Sequence, residues 1–78
     1  MFLSDELIEV GRKSNKRNNL SMNEALHKML DICSARVQSV KPHEKALIAQ
    51  NVRSSFNLAI KALQKEGYTY FTPEKFAL

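Results

Sequence analysis

Two long apolar stripes separated by only a few residues dominate the chain and constrain its fold. Residues 22–40 repeat Met, Leu, Cys and Val at helical spacing, and residues 42–66 repeat Ile, Ala, Val, Phe and Leu in the same way. Pro42 suits the first turn of a helix, because the N–H that proline lacks has no helical partner there. A connection this short forces consecutive helices to run antiparallel. The sequence therefore predicts an all-α fold, a small helical bundle built on a long antiparallel helical hairpin.

Three helix starts share one arrangement, in which an apolar residue, a Ser or Thr cap and a second apolar residue follow one another at fixed spacing. Ser4 as a cap predicts a short N-terminal helix that begins at about Asp5. Ser21–Glu24 form a Ser-x-x-Glu capping box, which predicts that the second helix begins at about Met22. Thr72 predicts a C-terminal helical turn in the five residues that follow it.

The helix ends are marked by glycine. Gly11 terminates the first helix, or that helix continues so that Glu9 pairs with Arg12 and Lys13 at spacings of three and four. At the other end of the chain, Gly67 stands where a left-handed cap is required, which ends the third helix just before it.

Length and composition exclude several classes of protein. The chain has 78 residues, 44% of them hydrophobic, with only two Gly and two Pro. It is too apolar to be disordered and too poor in turn residues for an all-β fold, so we expect one helical domain over residues 1–78. Its single cysteine, Cys33, cannot form an internal disulfide, and no run reaches the ~18 apolar residues of a membrane span. We therefore expect a cytoplasmic protein without a membrane span.

Residues 11–20 form a basic connector that accounts arithmetically for the net charge of the chain. The sequence has 12 Lys+Arg and 8 Asp+Glu, so removing Arg12, Lys13, Lys16 and Arg17 leaves 8 of each sign. These cations could contact nucleic-acid phosphates or an acidic partner, or they could form a solvated loop. The connector has no aromatic residue to stack on a base and no Gly-x-x-Gly clamp. We therefore expect at most sequence-independent electrostatic binding.

The apolar arc of the third helix is wider than one neighbouring helix can cover. Leu47 and Leu58 extend this arc beyond half of the helix circumference, and Arg36 lies at the apolar edge of the second helix. The extended aromatic segment, residues 67–72, adds Tyr68 and Tyr70, which either complete the core or anchor a partner. The sequence therefore predicts a protein interface that involves these five side chains.

No set of side chains matches a catalytic, cofactor or metal site. Cys33 lies in the apolar stripe of the second helix and is assigned to the core. His27 faces away from that stripe and His43 begins the next helix, so the three side chains do not share a face. Nucleophilic catalysis and metal binding both need converging groups. The sequence therefore predicts no enzyme, no cofactor and no metal.

The order of a short helix, the segment NEALHKML, a helical hairpin that ends in FNLAIKALQKEG, and a terminal helix resembles the bacteriocin immunity proteins. Those proteins are small antiparallel four-helix bundles, so the resemblance implies a helical bundle here. It covers about half of the chain, and the terminal helix of this chain is shorter. The resemblance assigns no functional residue.

Without recognisable chemistry, and with surplus apolar and aromatic surface, we expect a small non-enzymatic regulator or inhibitor that binds proteins. Such proteins are carried by phages, plasmids and other accessory elements, where they serve as antirepressors, anti-defence proteins or immunity proteins. The expected partner is another protein, a second copy in a homodimer, or both. The alternative is a nucleic-acid-binding accessory protein that uses residues 12–17 for contacts to backbone phosphates.

Overall fold

A computed structural model describes residues 2–75 of the chain, and these residues form an all-α fold without strands. The elements are α1 (Leu3–Arg12), α2 (Asn19–Gln38), a 3-10 turn (Pro42–Glu44), α3 (Lys45–Lys65) and a second 3-10 turn (Pro73–Lys75). The predicted hairpin of two long helices, with a short N-terminal helix and a C-terminal turn, is confirmed. The last two residues of the predicted C-terminal turn, residues 76 and 77, lie outside the described residues.

The start of α2 differs from the prediction. Asn18, in extended conformation, is the N-cap, and its Oδ1 accepts hydrogen bonds from the N–H groups of Leu20 (3.0 Å) and Ser21 (3.4 Å). Ser21 therefore lies inside the first turn, and its assignment as the cap was wrong. Asn caps a helix as well as Ser does, and the earlier cap adds three residues to α2.

The start and end of α1 also depend on more than local sequence. The helix begins at Leu3, and Phe2 at the cap position provides no side-chain hydrogen bond, so the assignment of Ser4 as the cap was wrong. At the other end the helix continues through Gly11 to Arg12, and Arg12 Nη1 lies 2.9 Å from Glu9 Oε1. Of the two predicted alternatives, the structure has the continued helix with its ion pair at a spacing of three.

The end of α3 follows the prediction. Gly67 has a φ of 102°, a left-handed conformation that glycine adopts without steric cost. The Gly67 N–H donates to the Gln64 carbonyl (3.0 Å), and the Tyr68 N–H donates to the Leu63 carbonyl (2.9 Å). This pair of bonds is the Schellman motif, which satisfies two carbonyls that the helix itself leaves without partners. It also turns the chain back so that Tyr68 packs against the bundle.

The core lies where the three helices meet. Gly11 is buried in α1 against Leu63 of α3, so the two backbones approach closely at this point. Phe71, in the segment after α3, contributes a fully buried ring to the core. Gln64 Nε2 donates to the Phe71 carbonyl oxygen at 2.8 Å, which holds this segment against α3. The largest fully buried side chains are those of Phe56, Phe71, Leu7, Met22, Met29, Ile60, Leu63 and Cys33.

Candidate protein-binding surface

Two leucines of α3 point into solvent. Leu47 is 62% exposed and Leu58 is 61% exposed. They are eleven residues apart, which places them about 16 Å apart along the helix and within about 20° around its axis. The buried residues of α3, such as Val52 and Phe56, lie on the opposite side of the helix. The two leucines therefore share one stripe on the outer face of α3.

The charged residues of α3 are all basic, and two of them, Lys61 and Lys65, lie on the same side of the helix as the two leucines. α3 contains four basic residues and no acidic residue over its 21 positions. All four are exposed, and within residues 2–75 none of them forms an ion pair. Sequence reasoning missed this feature because the charges were counted along the connector and not helix by helix. The four residues are Lys45, Arg53, Lys61 and Lys65.

A groove of about 360 Å³ adjoins this face, between the start of α1, the end of α2 and the first half of α3. Half of its lining residues are apolar, namely Leu3, Val40, Ile48 and Val52. Arg36 lies at its edge with its side chain about half exposed, and its Nη2 is 3.2 Å from Glu6 Oε2. The predicted interface residue Arg36 therefore lies beside the α3 surface, with part of its charge compensated by Glu6.

In the basic connector, by contrast, part of the positive charge is neutralised by carboxylates of the same molecule. Arg12 donates from Nε to Glu66 Oε1 at 2.9 Å and from Nη2 to Glu66 Oε2 at 2.8 Å, while Nη1 binds Glu9. These hydrogen bonds hold the pKa of Glu66 below its ordinary value and raise the pKa of Arg12. The Arg12 guanidinium thus joins α1 to Glu66, the residue that directly follows α3.

Tyr68 and Lys16 continue this contact. Tyr68 Oη donates to the Arg12 carbonyl at 3.1 Å, and Lys16 Nζ lies 4.9 Å from the centre of the Tyr68 ring. Tyr68 is only 7% exposed, so its side chain offers almost no area to a partner. Of the predicted cations, Lys13 and Arg17 are exposed and form no ion pair within the described part of the chain.

Tyr70 is also engaged within the molecule. Its hydroxyl donates to Asn23 Oδ1 of α2 at 3.1 Å, and its ring packs edge-on against Phe71. Lys75 Nζ lies 3.2 Å from the centre of the same ring. Tyr70 remains half-buried, so the aromatic segment serves first to tie the chain to α2.

The three candidate side chains for catalysis or metal binding differ in burial and do not all lie on one element. Cys33 is fully buried, and burial raises the pKa of its thiol to about 11, so the thiol is protonated at neutral pH. His27 and His43 are exposed on different elements. Among residues 2–75, no three His, Cys, Asp or Glu side chains converge as a metal site would require. In the same residues, no helix combines the length and the apolar character needed to cross a bilayer.

Comparisons with protein-family models, with curated proteins and with solved structures return no match to this chain, so the resemblance to bacteriocin immunity proteins gains no support from them. The candidate surface therefore has to be interpreted from its own geometry and charge.

Proposed function

We propose that this protein is a small non-enzymatic regulator or inhibitor that binds another protein through the outer face of α3 and the adjoining groove. The observation that carries the proposal is the pair Leu47 and Leu58, both more than 60% exposed on one helical stripe. Single exposed leucines are common on protein surfaces, but two on one stripe, beside a groove that apolar side chains partly line, expose more apolar area than isolated residues do. Such surfaces are typical of interfaces. A cytoplasmic product of a phage, plasmid or other accessory element fits this role.

A partner that differs from the protein itself is favoured over a homodimer on this face. In a symmetric dimer the same patch meets itself, so two α3 faces that carry basic but no acidic residues would be brought together. Like charges brought together in this way cost binding free energy. The proposed complex is therefore heteromeric.

Site-specific photo-crosslinking in the native host tests the proposal. A photoreactive amino acid at position 47 or 58 should give a discrete protein adduct. The same amino acid at position 20 is the control, because Leu20 is similarly exposed, at 67%, but lies on the outer side of α2. Adducts of equal yield from position 20, or none from 47 and 58, would contradict the proposal.

Charge introduction gives the matching loss-of-function test. Leu58→Glu should abolish capture of the crosslinked partner, while Leu20→Glu should leave it intact. Both variants should keep the helical far-UV circular dichroism of the parent, because neither side chain contributes to the core. Capture that survives Leu58→Glu would show that α3 is not the contact surface.

Nucleic-acid binding through the basic connector remains the alternative, and it makes a separate prediction. Lys13 and Arg17 are the connector cations that form neither an ion pair nor a cation–π contact within residues 2–75, whereas Lys16 lies over the Tyr68 ring. Replacing both with Gln should then remove a gel shift with duplex or single-stranded DNA at low salt. If the unmodified protein shows no shift under those conditions, this alternative is excluded.

A further inference from the structure

We infer that the partner presents an acidic amphipathic helix, which lies lengthwise along the outer face of α3. The inference rests on the proposed function and specifies the chemistry of the partner. Its basis is the combination, on one face, of exposed leucines, small polar residues and positive charges without ion-pair partners among residues 2–75.

The charge distribution favours an acidic partner. Within the described helices, α1 has three acidic and one basic residue, and α2 has two of each. α3 has four basic residues and no acidic one. Removing these four from the 12 basic residues of the chain leaves 8 basic and 8 acidic residues, the same balance that remains when the four connector cations are removed. In contrast to Arg12 of the connector, which binds two carboxylates, no cation of α3 is neutralised in the described structure. A partner that supplies carboxylates would complement this face.

The spacing along α3 favours a helix as the partner element. Positions 47, 51, 54, 58, 61 and 65 alternate in steps of four and three, which is the seam along which two helices pack. Leucines occupy 47 and 58, and the smaller Asn51 and Ser54 between them let a second backbone approach. Lys61 and Lys65 continue the seam. It spans about 27 Å, or five turns of a partner helix.

Other occupants fit this face less well. A membrane surface needs a broad apolar face, whereas Asn51 and Ser54 interrupt the two leucines. Nucleic acid would use the cations but gains little from exposed leucines, and the only aromatic residue of α3, Phe56, is buried. A second copy of the chain brings like charges together. An acidic amphipathic helix matches both the leucines and the cations.

Two synthetic peptides test the inference on the intact protein. Both have the 21-residue length of α3 and the same leucine seam, but one carries Glu and the other Lys at the flanking positions. Titrated into isotope-labelled protein, the Glu peptide should bind roughly tenfold more tightly than the Lys peptide, and increasingly weakly as salt rises. The shifted amide signals should lie along α3 from Leu47 to Lys65. Equal binding of the two peptides, no binding of either, or shifts centred on another element would overturn the inference.

Charge reversal separates this inference from the proposed function. The double variant Lys61→Glu and Lys65→Glu should reverse the peptide preference, whereas Lys28→Glu on α2, an exposed control, should not. If the partner crosslinked from position 58 is captured equally well by the double variant, the protein-binding function stands and the acidic partner is refuted. Tighter binding to phosphatidylglycerol-containing vesicles or to a DNA duplex than to the Glu peptide would also refute it.

Discussion

Replacing Gly11 with alanine tests the close approach of α1 and α3. An ideal Cβ atom on Gly11 would lie 2.8 Å from Leu63 Cδ2 and 3.1 Å from Leu63 Cγ. Carbon atoms in contact prefer about 3.5–4.0 Å, and Leu63 is fully buried, so its side chain has little room to move. Alanine must therefore displace Leu63 from its rotamer or push the two helices apart.

Two effects of opposite sign determine the free energy of unfolding of this variant. Gly→Ala inside a helix gains up to about 1 kcal/mol, and less in the last turn of α1, where residue 11 lies. Overpacking a buried site costs about 1–3 kcal/mol. We expect the clash to dominate, with a net loss of about 1–2 kcal/mol. For a domain of 78 residues, that lowers Tm by about 6–12 °C.

Urea unfolding followed by far-UV circular dichroism measures this loss, and a double-mutant cycle identifies its cause. Leu63→Val removes both δ-carbons that the new methyl group would meet. In that background, Gly11→Ala should be close to neutral or stabilising by up to ~1 kcal/mol. If Gly11→Ala stabilises the parent protein, or has the same effect in both backgrounds, the close approach does not limit residue 11.

Two further outcomes follow from the caps and ion pairs. Asn18→Ala should lower the free energy of unfolding in urea by about 1 kcal/mol, whereas Ser21→Ala should lower it much less, because the Asn18 side chain accepts from the first N–H groups of α2. A larger loss from Ser21→Ala than from Asn18→Ala would mean that Ser21 caps the helix in solution. The pKa of Glu66 is lowered by Arg12, so the stability this pair contributes is present above the unfolded-state pKa of about 4.3 and is lost as pH falls through the folded-state pKa. Arg12→Gln should raise the Glu66 pKa in an NMR titration of the carboxyl carbon, and an unchanged pKa would mean that the ion pair does not persist in solution.

Features of the fold with strong local signals could be predicted from sequence. Gly67 ends α3 because only a left-handed residue completes the cap, and Pro42 opens the turn into α3. The start of α2 could not be settled in this way, since Asn and Ser are comparably good caps and local sequence does not rank Asn18 above Ser21.

Long-range features left weaker signals in the sequence. Nothing near Arg12 indicates that its main partner is Glu66, and nothing near Gly11 indicates that it contacts Leu63. The sequence did predict that Leu47 and Leu58 are surplus to the core, because the apolar arc of α3 is wider than one neighbouring helix can cover. The absence of acidic residues from α3 was visible in the sequence, but its meaning depends on knowing which cations are already paired.

The contact between Arg12, Glu66 and Tyr68 has a consequence for synthesis on the ribosome. Arg12 emerges more than fifty residues before Glu66 and Tyr68, so it lacks these two partners while α2 and α3 are synthesised. Contacts between consecutive helices, α1 with α2 and α2 with α3, can form earlier. Closure of the contact between Arg12, Glu66 and Tyr68 is therefore a late step, which completes only after residue 68 has left the exit tunnel.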